Sequence, residues 1–179
     1  MPSVIDLKTA RLGRKVERGY RNWVSQFGEP FEAGTRFHDI SITTLMTLAQ
    51  GREKSAFYLY DLIMNLLDLG SGFELNELAP EEKMSVMDRY LFLLDRIRFE
   101  YMRRLGWLES YPGQEYTLVE IIIHFQRFAP GLQSKIPSLS RDHPDYTRFD
   151  RMNGFEKEEF IRRLIPKALI KIQDQSTIL

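Results

Sequence analysis

SAFYLYDLIMNLLDL, residues 55–69, carries three strongly polar side chains after its first serine: Asp61, Asn65 and Asp68. Their spacing of four and three predicts one narrow stripe down a helix that is apolar on every other side. Such a helix needs neighbours on at least two sides, so it reads as a post around which other segments pack. At 15 residues and with two aspartates it is too short and too charged to span a bilayer. The polar stripe reads as a solvated seam, because burying such groups against arginines gives little net stability.

Upstream of the post, Ile5, Leu12, Val16, Tyr20, Trp23, Val24 and Phe27 fall in one arc of a helix over residues 4–27. Lys8, Arg11, Arg14, Lys15, Arg18 and Arg21 fill the opposite arc, and against them stand only Asp6 and Glu17. This segment therefore carries a local charge of +4, and the rest of the chain carries −4. After Gly28, Pro30 and Gly34, Asp39 is expected to cap a short helix from Ile40 to Gln50, with Gly51 closing it.

Downstream, Ala79-Pro80-Glu81-Glu82 is a helix start: proline suits the first turn, and the glutamates favour the positive end of the dipole. The helix predicted from there to Leu105, about 39 Å long, is the longest in the chain. Its expected buried stripe is Met84, Met87, Leu91, Leu94, Tyr101 and Leu105, widened by Tyr90 and Ile97. Asp88, Arg89, Asp95, Arg96, Glu100 and Arg103 are expected in water opposite. Thr117 and Glu120 form a capping box for a helix that Pro130 should end. Residues 131–153 show no sustained periodicity and read as a long loop, a class that is often functional or disordered. Asn153 caps a final helix, which Pro166 should kink or split near Ile165, and the tail 174–179 is expected to fray. The fold class expected is all-α, a single domain over residues 1–179 built as a bundle of five to six helices.

Composition narrows the function less than the fold. With 25 basic and 25 acidic residues the chain has no net field to draw nucleic acid or a membrane surface. The absence of cysteine removes disulfides, thiolate metal sites and cysteine nucleophiles. The N-terminal residues lack a secretory apolar core and no run reaches the length of a membrane span, so the expected location is cytoplasmic. No phosphate-cradling glycine loop, dinucleotide fingerprint, serine elbow or zinc spacing is present. No cofactor and no metal are implied. Glu120 and His124 share a helix face as a fragment of a metal site would, but Glu120 already serves the capping box. His38-Asp39 is too short a match to a metal-dependent phosphohydrolase pair to count.

Three functional readings remain. The leading one is a non-enzymatic interaction module that forms a homo-oligomer or holds a protein partner. It rests on Phe92 and Phe99, placed seven apart on the charged face of the long helix and read as partner contacts. The second is a nucleic-acid or polyanion binder acting through Lys8, Arg11, Lys15 and Arg18. The third is an enzyme acting on a phosphate or carboxylate substrate through the charged 141–151 loop, with Arg141, His143 and Arg148 as its groups.

Overall fold

Pro80 stands in the first turn of the longest described helices' central member, Glu81 and Glu82 follow it, and Arg103 and Arg104 occupy the last turn. Both ends thus complement the helix dipole. In the computed structural model, which describes residues 5–177 and side-chain surroundings from 16 to 175, this helix spans Pro80–Arg104 and is α4. Before it come α1 (Ile5–Phe27), α2 (Ile42–Ala49) and α3 (Glu53–Leu66). After it come β1 (Leu108–Ser110), α5 (Leu118–Ile123), α6 (Phe125–Gln133), β2 (Ser138–Leu139), α7 (Tyr146–Asp150) and α8 (Gly154–Thr177). Short 3-10 turns occupy Phe37–Asp39 and Gly72–Glu77, and β1 pairs antiparallel with β2.

The all-α class holds, with more and shorter helices than the sequence suggests. His124, with φ −107° and ψ 31°, separates α5 from α6, and Pro130 lies inside α6 rather than ending it. The expected long loop instead contains the end of α6, β2 and α7. Helix α8 continues through Pro166 as far as Thr177, so it is not split, and residues 174–177 are helical rather than frayed. The last two residues of that tail lie outside the described residues. Ser41, not Asp39, caps α2 by accepting from the Thr44 N–H at 3.2 Å. Asp39 turns back instead and accepts from the Arg36 N–H at 3.0 Å. The capping box at Thr117 and Glu120 and the Asn153 cap form as expected.

Helix α4 is enclosed on both sides. Helices α2 and α3 cover one flank, and β1, α8 and the α5–α6 pair meet the other. The stripe assigned from periodicity holds at Tyr90, Leu94, Ile97 and Tyr101, which are buried, and is corrected elsewhere. Met84 and Leu91 are 66% and 54% exposed, whereas Arg89, Arg96 and Glu100, expected in water, are buried. The arginines reach this position because their guanidinium groups meet the carbonyl ends of neighbouring elements. Arg98 Nε donates to Ala49 O, at the end of α2, at 2.8 Å. Arg89 Nε donates to Ile122 O, in the last turn of α5, at 2.7 Å. Arg104 Nη2 donates to Phe37 O and His38 O at 3.0 and 3.1 Å, and Arg96 Nη2 approaches Leu132 O, near the end of α6, at 3.5 Å. Carbonyls at a helix C-terminus lack intrahelical partners and carry the negative end of the dipole. A long cationic side chain satisfies both deficits together.

The polar stripe of the post is corrected in the same sense. Asp61 and Asn65 are 5% and 1% exposed, and only Asp68, at φ 59°, reaches solvent. Helix α1 meets this stripe through Arg18 Nε, which donates to Asn65 Oδ1 at 3.0 Å, and Asn22 Nδ2, which donates to Asp61 Oδ2 at 2.8 Å. The second Asp61 oxygen accepts from the Gly72 N–H at 2.9 Å. Gly72 must be glycine for this approach, since a Cβ there would come within 2.9 Å of the Phe57 ring and 3.1 Å of Asp61 Cβ. The seam thus fixes the register of α1 on α3 and ties down the chain after the post.

Removing the Asp61 carboxylate leaves the Gly72 N–H and the Asn22 amide without it, so Asp61→Ala is expected to cost about 1–3 kcal/mol in urea unfolding. Ile63→Ala, at a fully buried position of α3, should cost about 2–5 kcal/mol by leaving a cavity. A loss below about 0.5 kcal/mol for Asp61→Ala would place it with ordinary surface substitutions and deny the network a structural role.

Candidate functional site

A cavity of about 560 Å³ opens between the middle of α4, the start of α6, the segment after α6 and the first turns of α8. Phe92 and Phe99 come from α4, Phe125 from α6, Ile136 and Pro137 from the segment before β2, and Ile161 from α8. Together they form the apolar part of a mixed lining. Its charged groups are Asp88, Asp95, Arg96, Lys135, Glu158 and Arg162. Arg162 Nη1 donates to Asp95 Oδ2 at 2.8 Å, which joins α8 to α4 at the cavity edge.

Arg96 is the unusual member of this set. Its side chain is 5% exposed, and its guanidinium carbon lies 4.1 Å from the Phe92 ring centroid and 5.5 Å from that of Phe99. Such stacking favours a guanidinium in particular, being planar and weakly hydrated. Its hydrogen bonding is thin, because the Leu132 contact is long and Nε has no partner. Burial pushes the Arg96 guanidinium down to about 10; Asp95 opposes that shift and Arg162 adds to it.

Phe92 and Phe99, read from the sequence as exposed partner contacts, are 4% and 3% exposed. That premise is corrected: the rings are covered by this chain itself, with Phe92 edge-on to Phe125 at 5.5 Å and Phe99 6.1 Å from the Tyr111 ring. They line the cavity rather than an open face. Arg18 of the proposed polyanion face is bonded to Asn65, while the side chains of Lys8, Arg11 and Lys15 lie outside the described residues. Of the loop residues Arg141, His143 and Arg148, the last two share partners, both approaching the Asp145 carboxylate, at 4.0 and 3.9 Å, and the Phe160 ring, while Arg141 lies apart. Arg141 borders a hollow with Glu109 and Tyr146, and Arg148 borders another with Glu156 and Arg163. His143 Nδ1 accepts from the Asp145 N–H at 3.1 Å, and its ring stands edge-on to Phe160 at 6.1 Å, so this imidazole holds the turn into α7. Among the described residues no group of three potential ligands is placed to hold a metal ion. No described helix is long and apolar enough to cross a membrane.

A second buried charge lies one turn beyond Arg96. Glu100, 1% exposed, accepts from Arg103 Nη2 at 2.8 Å, from Arg104 Nε at 2.9 Å and from the Tyr111 hydroxyl at 3.0 Å. Burial is the largest single influence and acts to raise the Glu100 carboxyl, but the hydrogen bonds from Arg103, Arg104 and Tyr111 together with the Arg103 charge outweigh it and hold the group below its usual range. Burial also raises the Tyr111 phenol strongly, and the adjacent Glu100 charge adds to this. The cluster is saturated with partners, and through Arg104 it anchors the 3-10 turn at Phe37–Asp39. Periodicity could not have found Arg96 or Glu100, because charged positions count as outward-facing in such patterns.

No protein-family model matches this chain, and neither a curated protein nor a solved structure shows significant similarity to it.

The signs of the two Glu100-linked shifts give a pH profile. A carboxyl depressed in the folded state contributes stability that is present above its ordinary value of 4.5 and lost as pH falls through the folded value. The raised Tyr111 phenol contributes stability that is present below 10.0 and lost as pH rises beyond it. Chemical unfolding across pH should therefore show Glu100→Gln flattening the acid limb relative to wild type, and Tyr111→Phe flattening the alkaline limb. Unchanged limbs in both variants would sever the link between this cluster and stability.

Proposed function

We propose that the protein is a non-enzymatic helical module that pairs with a second copy of itself through the exposed faces of α4 and α8. The observation that carries this reading is the set of large apolar side chains left in water on two oppositely charged stripes. On α4, Glu81, Met84, Asp88 and Leu91 fall within about 80° of one another and are all exposed. On α8, Arg163, Lys167, Ile170 and Lys171 fall within about 100° on the exposed side. Ile170 is 56% exposed, against 66% and 54% for Met84 and Leu91.

An isologous contact uses each stripe twice, α4 of one copy meeting α8 of the other and the reverse. Acidic and basic rims then face each other around apolar centres, the arrangement that sets partner choice and register. A binding role is favoured over catalysis in the 141–151 segment because His143 is engaged in its own turn and Arg141 and Arg148 face different hollows.

Sedimentation equilibrium of the wild type is expected to give a dimer, and Leu91→Glu a monomer with an unchanged melting temperature. Asp88→Lys should also weaken the dimer, and adding Lys167→Asp should restore it, which a generally damaged surface would not do. A wild type that stays monomeric at high micromolar concentration refutes the proposal.

A further inference from the structure

We infer that the cavity between α4 and α8 is a binding site for a small organic monocarboxylate with an apolar body, its carboxylate pairing with the guanidinium of Arg96. This inference does not rest on self-association, since the cavity lining and the exposed stripes overlap only at Asp88 and Leu91.

The arginines of α4 differ in how fully they are bonded. Arg89, Arg98 and Arg104 each make at least one bond of 3.0 Å or less to a carbonyl oxygen. Arg96 is at least as buried as any of them, yet has one contact at 3.5 Å and a buried Nε without a partner. A buried guanidinium carries five donors and loses its hydration, and leaving donors unmatched is costly. Nε is enclosed towards Gly113, but the side chain borders the cavity and its Nη1 has no partner among the described residues, so an acceptor from outside the chain can meet it there. A carboxylate matches the planar fork of a guanidinium, with two parallel hydrogen bonds.

The charges around the cavity limit the charge of the ligand. Arg162 is neutralised by Asp95. The remaining lining charges, Arg96 and Lys135 against Asp88 and Glu158, cancel. A phosphate dianion or polyanion therefore meets no net attraction here, whereas a single carboxylate gains one local pairing with the buried cation. The apolar part of the lining selects the body of the ligand. Phe92, Phe99, Phe125, Ile136, Pro137 and Ile161 form that part, and a volume of about 560 Å³ lies within the range of small-molecule pockets.

The test uses the intact protein and three probes in calorimetric titration: 4-phenylbutyrate, its neutral counterpart 4-phenylbutan-1-ol, and inorganic phosphate. Saturable binding of phenylbutyrate is expected, about tenfold or more tighter than the alcohol, as a charge-assisted bond implies. Its NMR footprint should fall on the rings of Phe92, Phe99 and Phe125, and phosphate should not bind. Arg96→Met should bring phenylbutyrate down to the affinity of the alcohol while leaving the alcohol unchanged. Should that variant not fold, the acid-to-alcohol ratio of the wild type decides alone. Equal affinity for acid and alcohol, absence of saturable acid binding, phosphate binding tighter than phenylbutyrate, or a folded Arg96→Met that keeps wild-type affinity for the acid overturns the inference.

Discussion

The interaction on which the rest of the molecule depends is the hydrogen bond from an α4 guanidinium to the carbonyl end of a neighbouring short helix or turn. Helices of six to nine residues, such as α2, α5 and α6, are marginal on their own, because the nucleation cost is spread over few hydrogen bonds. Their last carbonyls are also left without intrahelical partners. Arg98, Arg89 and Arg96 reach the ends of α2, α5 and α6 respectively. One long helix thus bonds a terminal carbonyl of two short ones and reaches towards that of a third. Arginine suits this role better than lysine, since its planar donors can bond a carbonyl while its face rests on an aromatic ring. Arg89 over Phe125 and Arg96 over Phe92 do both.

A buried cation costs desolvation, and the protein meets that cost differently along α4. At Arg103 and Arg104 the counter-charge is supplied within the helix by Glu100, which Tyr111 also contacts. At Arg98 and Arg89 carbonyl dipoles do the work, and burial lowers both guanidinium values while leaving the groups bonded. At Arg96 a buried guanidinium nitrogen is left without a partner, and there the packing opens into a cavity. The position of the opening is physically coherent, since an unmatched buried charge and a space for its partner occur together.

Much of the fold was legible because its signals are local. The proline and glutamates at the start of α4, the Thr117–Glu120 capping box, the Asn153 cap and the left-handed Gly51 each depend on residues within one turn. The post was legible from its apolar girth. What failed was the sorting of faces. Periodicity assumes that a charged side chain points to water, and along α4 that assumption put Met84 and Leu91 inside and Arg89, Arg96 and Glu100 outside, the reverse of the structure. The same assumption left Asp61 and Asn65 in a wet seam, although their partners Arg18 and Asn22 lie 47 and 39 residues away. A partner at that distance leaves no mark on the spacing around the stripe.

Phe92 and Phe99 did carry a usable signal, read the wrong way. Two phenylalanines seven apart on a helix face flanked by arginines have two physical solutions: an external surface covers them, or the chain covers them and takes the intervening cation inside as well. Arg96 lies between them at positions four and three away, the spacings that put side chains on one face. With that spacing the guanidinium can lie against both rings, and it does, at 4.1 and 5.5 Å. The aromatic pair therefore makes burial of Arg96 tolerable, because ring faces attract a cation that water no longer solvates. The motif Phe-x-x-x-Arg-x-x-Phe on a long helix marks a place where a charge can be held inside, and the cavity follows from the acceptor that the charge still lacks.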